Sequence, residues 1–404
     1  MRILILTPQL PYPPRQGTAL RNWGLISNLA HSHEVWLLSF DENPDVAPAP
    51  ELRAACCEVA AFAVPHRSTS QRLRRLAVSD LPDMSWRLWS PEFAAKLASW
   101  MREQHFDIIQ IEGIELARYV IDGGATMAAD TRIVFDDHNC EYVLQRRAFE
   151  TDARQPKRWH AAAYSLVQWQ RLRTFERAIL QKAHATLCVS AQDALMLQDL
   201  GAVPPAHVIP NGIDVRIYVP GASNNTLQAA NLVFTGKMDF RPNIDAMMWF
   251  GREVLPLIKQ HVPQAHLFIV GQKPSPRLDV LRSDPSITIT GAVEDVQPYI
   301  AGAAAYIAPL RVGGGTRFKI LEAMAMRCPV VSTSLGCEGF PVTHEQELLI
   351  GDSPAEFAAQ VTRVLNDPSL RAGLIDRAHV FVAKHYDWSV IVPQLEHIYT
   401  TLFN

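Results

Sequence analysis

Short apolar runs alternate with stretches of helical periodicity along the whole chain. Runs of four to six apolar residues fit strands buried on both faces, and the longer amphipathic stretches fit helices packed against them. In the first half the pattern predicts strands at 2–7, 35–39, 108–111, 133–136, 186–189 and 207–209, with the clearest helices at 19–30, 159–182 and 191–200. In the second half it predicts strands at 232–235, 266–270, 287–290, 305–308, 330–332 and 348–350. Helices are expected there at 244–259, 319–326, 354–365 and 369–385. Strand–helix alternation of this kind predicts an α/β fold with parallel sheets.

The alternation pauses between Pro210 and Asn231, where Pro220, Gly221, Ser223, Asn224 and Asn225 form a polar, turn-rich stretch. It predicts two doubly wound, Rossmann-like domains, 1–210 and 231–385, joined by a linker at 211–230. Ligands in such sheets bind beyond the carboxyl ends of the strands. Two such ends facing across a cleft would make a site for two substrates.

Composition narrows the function classes. The 404 residues are 48% hydrophobic and 20% charged, which excludes a disordered or fibrous chain. A net charge of −3 gives no overall nucleic-acid footprint. Cys56, Cys57, Cys140, Cys188, Cys328 and Cys337 form no C-x-x-C pair, so a reducing, cytoplasmic compartment is expected. No apolar run reaches the ~18–20 residues of a membrane span. The apolar N-terminus is too short for a signal peptide and runs into Pro8, Pro11, Pro13 and Pro14.

Candidate chemistry clusters where strands end. Pro309–Ala325 reads strand, Gly313-Gly314-Gly315, Thr316-Arg317, then a helix carrying Lys319 and Glu322. Bare backbone amides at a helix N-terminus, with two added cations, suit a diphosphate. The stretch lacks the G-K-[ST] ending of a triphosphate loop. Glu322 stands within the helix, where a carboxylate can accept from a ribose diol; the plain alternative is a surface glutamate. Lys237 and Arg241 follow the first strand of the second half and bring further cations, unless they are simply solvated. Gly17 enters the first long helix after an extended loop, but no G-x-G-x-x-G is present, which disfavours a dehydrogenase. His138 follows a first-half strand at Asp136-Asp137 and suits a base, a donor or a phosphate contact. No D-x-D, H-E-x-x-H or clustered histidines occur, so no metal is expected. His31-Ser32-His33 reads as a helix-capping turn. Two basic stretches carry tryptophan: Arg67–Arg87 with Trp86 and Trp89, and Arg146–Arg177 with Trp159 and Trp169. Either suits an anionic membrane surface or a solvated helix face.

Together these segments resemble the retaining, GT-B-fold glycosyltransferases of family 4, over nearly the whole chain. The most specific stretches are Val208-Ile209-Pro210-Asn211-Gly212-Ile213-Asp214 and Ile320-Leu321-Glu322-Ala323-Met324-Ala325 with Pro329-Val330-Val331. Cys188-Val189-Ser190 and the closing helix at 388–402 fit as well. The Gly-Gly-Gly-Thr-Arg-Phe-Lys variant, with Gly236-Lys237-Met238 and Arg241-Pro242-Asn243, looks like a subgroup from bacterial polysaccharide clusters.

The resemblance implies sugar transfer from a nucleotide-diphosphate sugar to a glycan or lipid-linked acceptor, with retention and without cofactor or metal. It implies a C-terminal segment, 386–404, packing back on the first domain. It places the donor on Gly314, Gly315, Thr316, Arg317, Lys319, Glu322, Lys237 and Arg241, with Gly17 approaching the diphosphate and His138 facing the reacting sugar. His138, Lys237 and Arg317 are the expected catalytic groups. With no signal peptide or membrane span expected, the chain reads as a cytoplasmic protein, with a peripheral place on the inner face of the plasma membrane open to it through the basic tryptophan stretches. One departure stands out: Glu322 matches the second of the family's two glutamates, but Gly314 occupies the first position, which normally contacts the donor sugar. That leaves a nucleotide-sugar epimerase, or a binding protein without turnover, as alternative expectations. An epimerase needs several acid/base groups around the sugar, and His138 alone stands out.

Overall fold

The structure is a computed structural model of residues 1–404, described here except at 15–16, 45, 123–126, 203–204, 220–229 and 314–316. The chain divides into two compact units, Met1–Pro210 with Ile391–Asn404, and Asn211–Val390.

The first unit is built on seven parallel strands: β1 (Arg2–Thr7), β2 (Glu34–Asp41), β3 (Glu58–Ala63), β4 (Ile108–Glu112), β5 (Arg132–Asp137), β6 (Ala185–Cys188) and β7 (His207–Val208). Their order is β3-β2-β1-β4-β5-β6-β7. The order reverses between β1 and β4, which pair through Ile3–Ile108 to Leu6–Ile111. A crevice for ligand opens at such a reversal, beyond the carboxyl ends. β1 is apolar and buried from Ile3 to Leu6, which is why it forms the centre of the sheet. One face packs Leu4, Leu38, Phe40, Phe93 and Trp100 into a continuous core. Phe40 and Phe93 stack with ring centroids 4.6 Å apart.

The second unit has six parallel strands: β8 (Asn231–Thr235), β9 (His266–Val270), β10 (Ile287–Gly291), β11 (Ala305–Ala308), β12 (Val330–Ser332) and β13 (Leu349–Ile350). Their order is β10-β9-β8-β11-β12-β13, reversing between β8 and β11. Both faces are covered, one by a core around Phe234, Phe250 and Phe357, the other by Tyr306, Met324 and Val382.

The predicted strands are present, several of them one to three residues longer or shorter or shifted by one, and β3 is added. The predicted helix at 244–259 differs. It runs as Arg241–Trp249, a π turn at Phe250–Val254, and Leu255–His261. Pro256 has no N–H to bond one turn back, so the regular ladder cannot pass through it.

The last helix, Trp388–Thr401, supplies side chains to the first unit. Glu396 meets His33 at 3.0 Å, and the Tyr399 hydroxyl donates to Gln110 inside the sheet. Leu402 accepts from Arg132 Nε at 3.0 Å. His33 therefore does more than end a helix, while His31 keeps the local role, with Nδ1 3.0 Å from the Asn28 carbonyl.

Candidate active site

In the first unit, β4 and β5 deliver their polar residues to the same end of the sheet. Glu112 closes β4, and His138 follows β5 directly. His138 Nε2 lies 2.7 Å from Glu112 Oε2. The other oxygen of Glu112 accepts from Gln110 Nε2 at 2.5 Å, and Gln110 in turn accepts from Tyr399. A line of hydrogen bonds thus runs from the C-terminal helix to His138. Burial opposes charge on His138, but the bond to Glu112 and the charges of Asp136 and Glu112 outweigh it and raise its pKa from the ordinary histidine value.

Asp136 is fully buried, and Arg21 holds it with Nε at 3.0 Å and Nη2 at 2.7 Å. Arg21 Nη1 also donates to the Pro210 carbonyl at 3.0 Å, so one guanidinium ties the first helix, β5 and the end of the first unit. Burial raises the Asp136 pKa against the pull of Arg21. Glu112, Asp136 and His138 bring ligand atoms within 4.8 Å of one another, a spacing that would suit a metal ion. Arg21 already supplies a fixed positive charge there through both bonds to Asp136 Oδ2.

The helix after His138, Glu141–Ala153, is anchored from outside. Both oxygens of the buried Glu176 accept its first amides, from Glu141 and Tyr142, at 2.9 Å each. That satisfies orphan donors of the helix N-terminus. Burial pushes the Glu176 pKa up to about 8 and that of Glu141 to about 7. Gly17 stands exposed as the first residue of the Gly17–Leu29 helix.

In the second unit the groups gather at the carboxyl end of β8. Gly236 follows β8 with φ +151°, and a Cβ there would meet Asn243 Nδ2 at 2.8 Å and Lys319 Nζ at 2.9 Å. Gly271, beyond β9, approaches still closer: its Cβ would fall 1.8 Å from the Gly236 carbonyl oxygen. Only residues without side chains let these two turns touch.

Asn243 orders the turn. Its Nδ2 donates to the Lys237 carbonyl at 2.9 Å, and its Oδ1 accepts from Lys319 Nζ at 3.1 Å. That ammonium also sits 4.1 Å from the centre of the Phe234 ring. Burial, with the Arg317 charge behind it, lowers the Lys319 pKa to about 7. Glu322 lies one turn further along the Phe318–Ala325 helix and accepts from the Tyr218 hydroxyl at 3.3 Å; burial raises its pKa. Arg317 is the N-cap residue of the same helix, and burial lowers its pKa.

Lys237 is more open, with a loose pairing to Asp239 at 3.9 Å, and Arg241 is exposed on the first turn of its helix. Gly314, Gly315 and Thr316 lie outside the described residues. The structure therefore groups Lys319, Glu322 and Arg317 around one short helix near Gly236. Sequence reasoning missed Arg21, Gln110, Glu112, Asn243 and Tyr218. The signal for two of them was available: Gln110 and Glu112 are the polar positions of a strand buried at every residue.

Known proteins give the same two halves. Residues 17–217 match the family Glycosyltransferase Family 4, and residues 229–367 match Glycosyl transferases group 1. A 44.6 kDa protein from the cps region of Klebsiella pneumoniae is 22% identical over 400 residues, spanning 96% of each chain. A phosphatidyl-myo-inositol mannosyltransferase of Mycolicibacterium smegmatis is 28% identical over 202 residues, 48% of this chain and 51% of that one. Anabaena HepE, solved with UDP and glucose, superposes with a TM-score of 0.68 at 15% identity, covering 99% of this chain and 100% of its own. Sucrose-phosphate synthase from Thermosynechococcus elongatus gives 0.75 at 17%, covering 100% and 99%. With two parallel, doubly wound sheets and both family matches in chain order, this chain belongs to the GT-B-fold glycosyltransferases of family 4.

Proposed function

We propose that the chain transfers a sugar from a nucleotide-diphosphate sugar to a glycan or lipid-linked acceptor, with retention of configuration, in the synthesis of a surface polysaccharide or glycoconjugate. The observation that carries the donor assignment is the gathering of Lys319, Arg317 and Glu322 about one helix beside the bare Gly236 turn. A buried lysine with a pKa of about 7, only about half charged at neutral pH, gains charge when an anion arrives, and a carboxylate on the next turn suits a ribose. UDP is the first nucleotide to test, because HepE was solved with UDP-glucose. The cps-region relative and the lipid-modifying mannosyltransferases support a glycan or lipid acceptor.

Leaving of the diphosphate develops negative charge on it and positive charge on the sugar. Preorganised cations and helix amides stabilise that leaving group more in the transition state than in the bound donor. In this reading Lys237 and Arg317 clamp the diphosphate, with Arg241, Lys319 and the amides of Gly314, Gly315 and Thr316 completing its surroundings. Gly17 approaches the same group, and Glu322 binds the ribose. A departing phosphate oxygen takes the acceptor proton, so no carboxylate nucleophile is required, unlike a retaining glycosidase. His138, held by Glu112 at 2.7 Å, donates a hydrogen bond to the reacting sugar or acceptor. A lipid-linked acceptor at the inner face would be met peripherally through the basic stretch around the exposed Trp159; no helix among the described residues is long and apolar enough to cross a membrane.

Calorimetry with UDP tests the donor site. Lys237→Ala and Arg317→Ala should each weaken binding, and the double variant should lose less than the sum, because both act on one group. Wild-type affinity in both single variants would reject the clamp.

A further inference from the structure

A second cationic site lies in the first unit, away from the residues of the candidate active site. The helix Thr69–Val78 buries none of its residues, yet it walls a cavity of about 200 Å³. Arg72, Arg75 and Arg171 line that cavity together with Leu73, Leu76 and Trp86. The arginines are organised rather than merely solvated. Arg75 and Arg118 each place their guanidinium carbon 3.7 Å from the centre of the Trp86 ring. Two cations cannot share one face at that distance, so the indole is held between them. Arg118 is also 4.1 Å from the Trp89 ring, which stacks on Tyr119. The result is a layered stack of cation and aromatic ring.

Charge within this stack is not balanced. Asp83 serves both Arg67, at 2.9 Å, and Arg72, at 3.5 Å, and Asp122 serves Arg118 at 2.7 Å. Arg171 spends its Nη2 on the Leu76 carbonyl at 2.9 Å. Arg75 has ring contact with Trp86 but no ion pair among the described residues. Burial, then the charges of Arg67 and Arg118, lower its pKa.

Arg87, the residue after Trp86, reaches Glu115 at 3.6 Å, and both act electrostatically on Glu141 three residues after His138.

We propose that this arginine–tryptophan cavity binds an anionic group of the acceptor, a phosphate or a carboxylate, together with the sugar ring or stem that carries it. The guanidiniums present forked donors to such a group. The indole and leucine walls cover the apolar part of its carrier. A volume below that of a usual ligand pocket (about 300–1,000 Å³) admits one such group and not a whole glycan. The proposal names an acceptor class and so rests on the transferase reading, but the site is confined to the first unit and can be tested without turnover.

Calorimetry on the full chain, with UDP in excess to fill the second unit, would use four probes: inorganic pyrophosphate, glucuronate, glucose and phosphatidylglycerol vesicles. Saturable binding of an anion but not of glucose is expected. Tighter pyrophosphate would indicate a phosphate-bearing acceptor, and tighter glucuronate an acidic sugar. Arg72→Gln with Arg75→Gln should weaken the anion about tenfold or more while leaving UDP affinity and the melting temperature unchanged. Both positions sit on an exposed helix; if the double variant fails to fold, Arg75→Gln alone serves. Absence of anion binding, equal binding to the variant, or binding only to phosphatidylglycerol vesicles overturns the proposal. Failure of UDP to bind would instead count against the donor reading, since the arginine variants report on the cavity independently.

Discussion

Glu112 Oε2 lies 2.7 Å from His138 Nε2, and this contact favours the charged imidazole at the carboxyl end of the first sheet's central strands. Because Glu112 is almost fully buried, its charge acts on the imidazole with little screening. Glu112→Gln should lower the His138 pKa, read by NMR titration of the ring C–H. Removing the imidazole altogether, in His138→Ala, should slow transfer by about 10²-fold or more. An unshifted titration in the first variant, or near wild-type turnover in the second, would leave His138 a structural residue.

Lys319 predicts a proton-linked donor affinity. Its pKa of about 7 in the free protein must rise when a diphosphate arrives, so binding takes up a proton. UDP affinity should therefore weaken as pH climbs above about 7 towards the ordinary lysine range. Calorimetry in buffers of different ionisation enthalpy measures the proton directly. Lys319→Met should abolish the uptake; a wild type that binds UDP with no proton exchange contradicts the assignment.

Glu322 is held ready by the Tyr218 hydroxyl at 3.3 Å. A carboxylate gripping a ribose diol makes charge-assisted bonds of about 1.5–3 kcal/mol each. Glu322→Ala should weaken UDP about tenfold or more, while Tyr218→Phe should cost less, since it removes only the positioning bond. Equal affinity of folded Glu322→Ala and wild type removes the ribose role.

Glu176 should shape stability against pH. Its folded pKa of about 8 lies above the ordinary glutamate value, so its contribution to stability is present in acid and is lost as pH rises through the folded value. Melting temperature should fall from about pH 5 to pH 8, and Glu176→Gln, though less stable in acid, should flatten that fall. An identical slope in the variant would mean other groups govern it.

The sheets were legible because their strands are continuous apolar runs. β3 was not: Glu58-Val59-Ala60-Ala61-Phe62-Ala63 is alanine-rich, low in strand preference and only half-buried at the sheet edge. As candidates, His138 and Lys237 were legible because each closely follows a strand end, and Glu322 because it stands on the helix after the glycine run. Their partners were not, since Asn243 reaches Lys319 across 76 positions of chain and Arg21 reaches Asp136 across 115. Those pairings are set by which strands lie side by side, which periodicity does not reveal. Lys237, read as the leading cation, turned out to be the open one, and Lys319 the enclosed one. The difference comes from Asn243 and Phe234 closing around the helix residue.

The most direct test follows a nucleotide sugar by NMR in the presence of enzyme, an acceptor fraction and EDTA. The account predicts stoichiometric release of nucleoside diphosphate, a new glycosidic product with the donor's anomeric configuration, and a rate unaffected by the chelator. An inverted product, an epimerised donor, or activity that disappears with EDTA and returns with magnesium would contradict it.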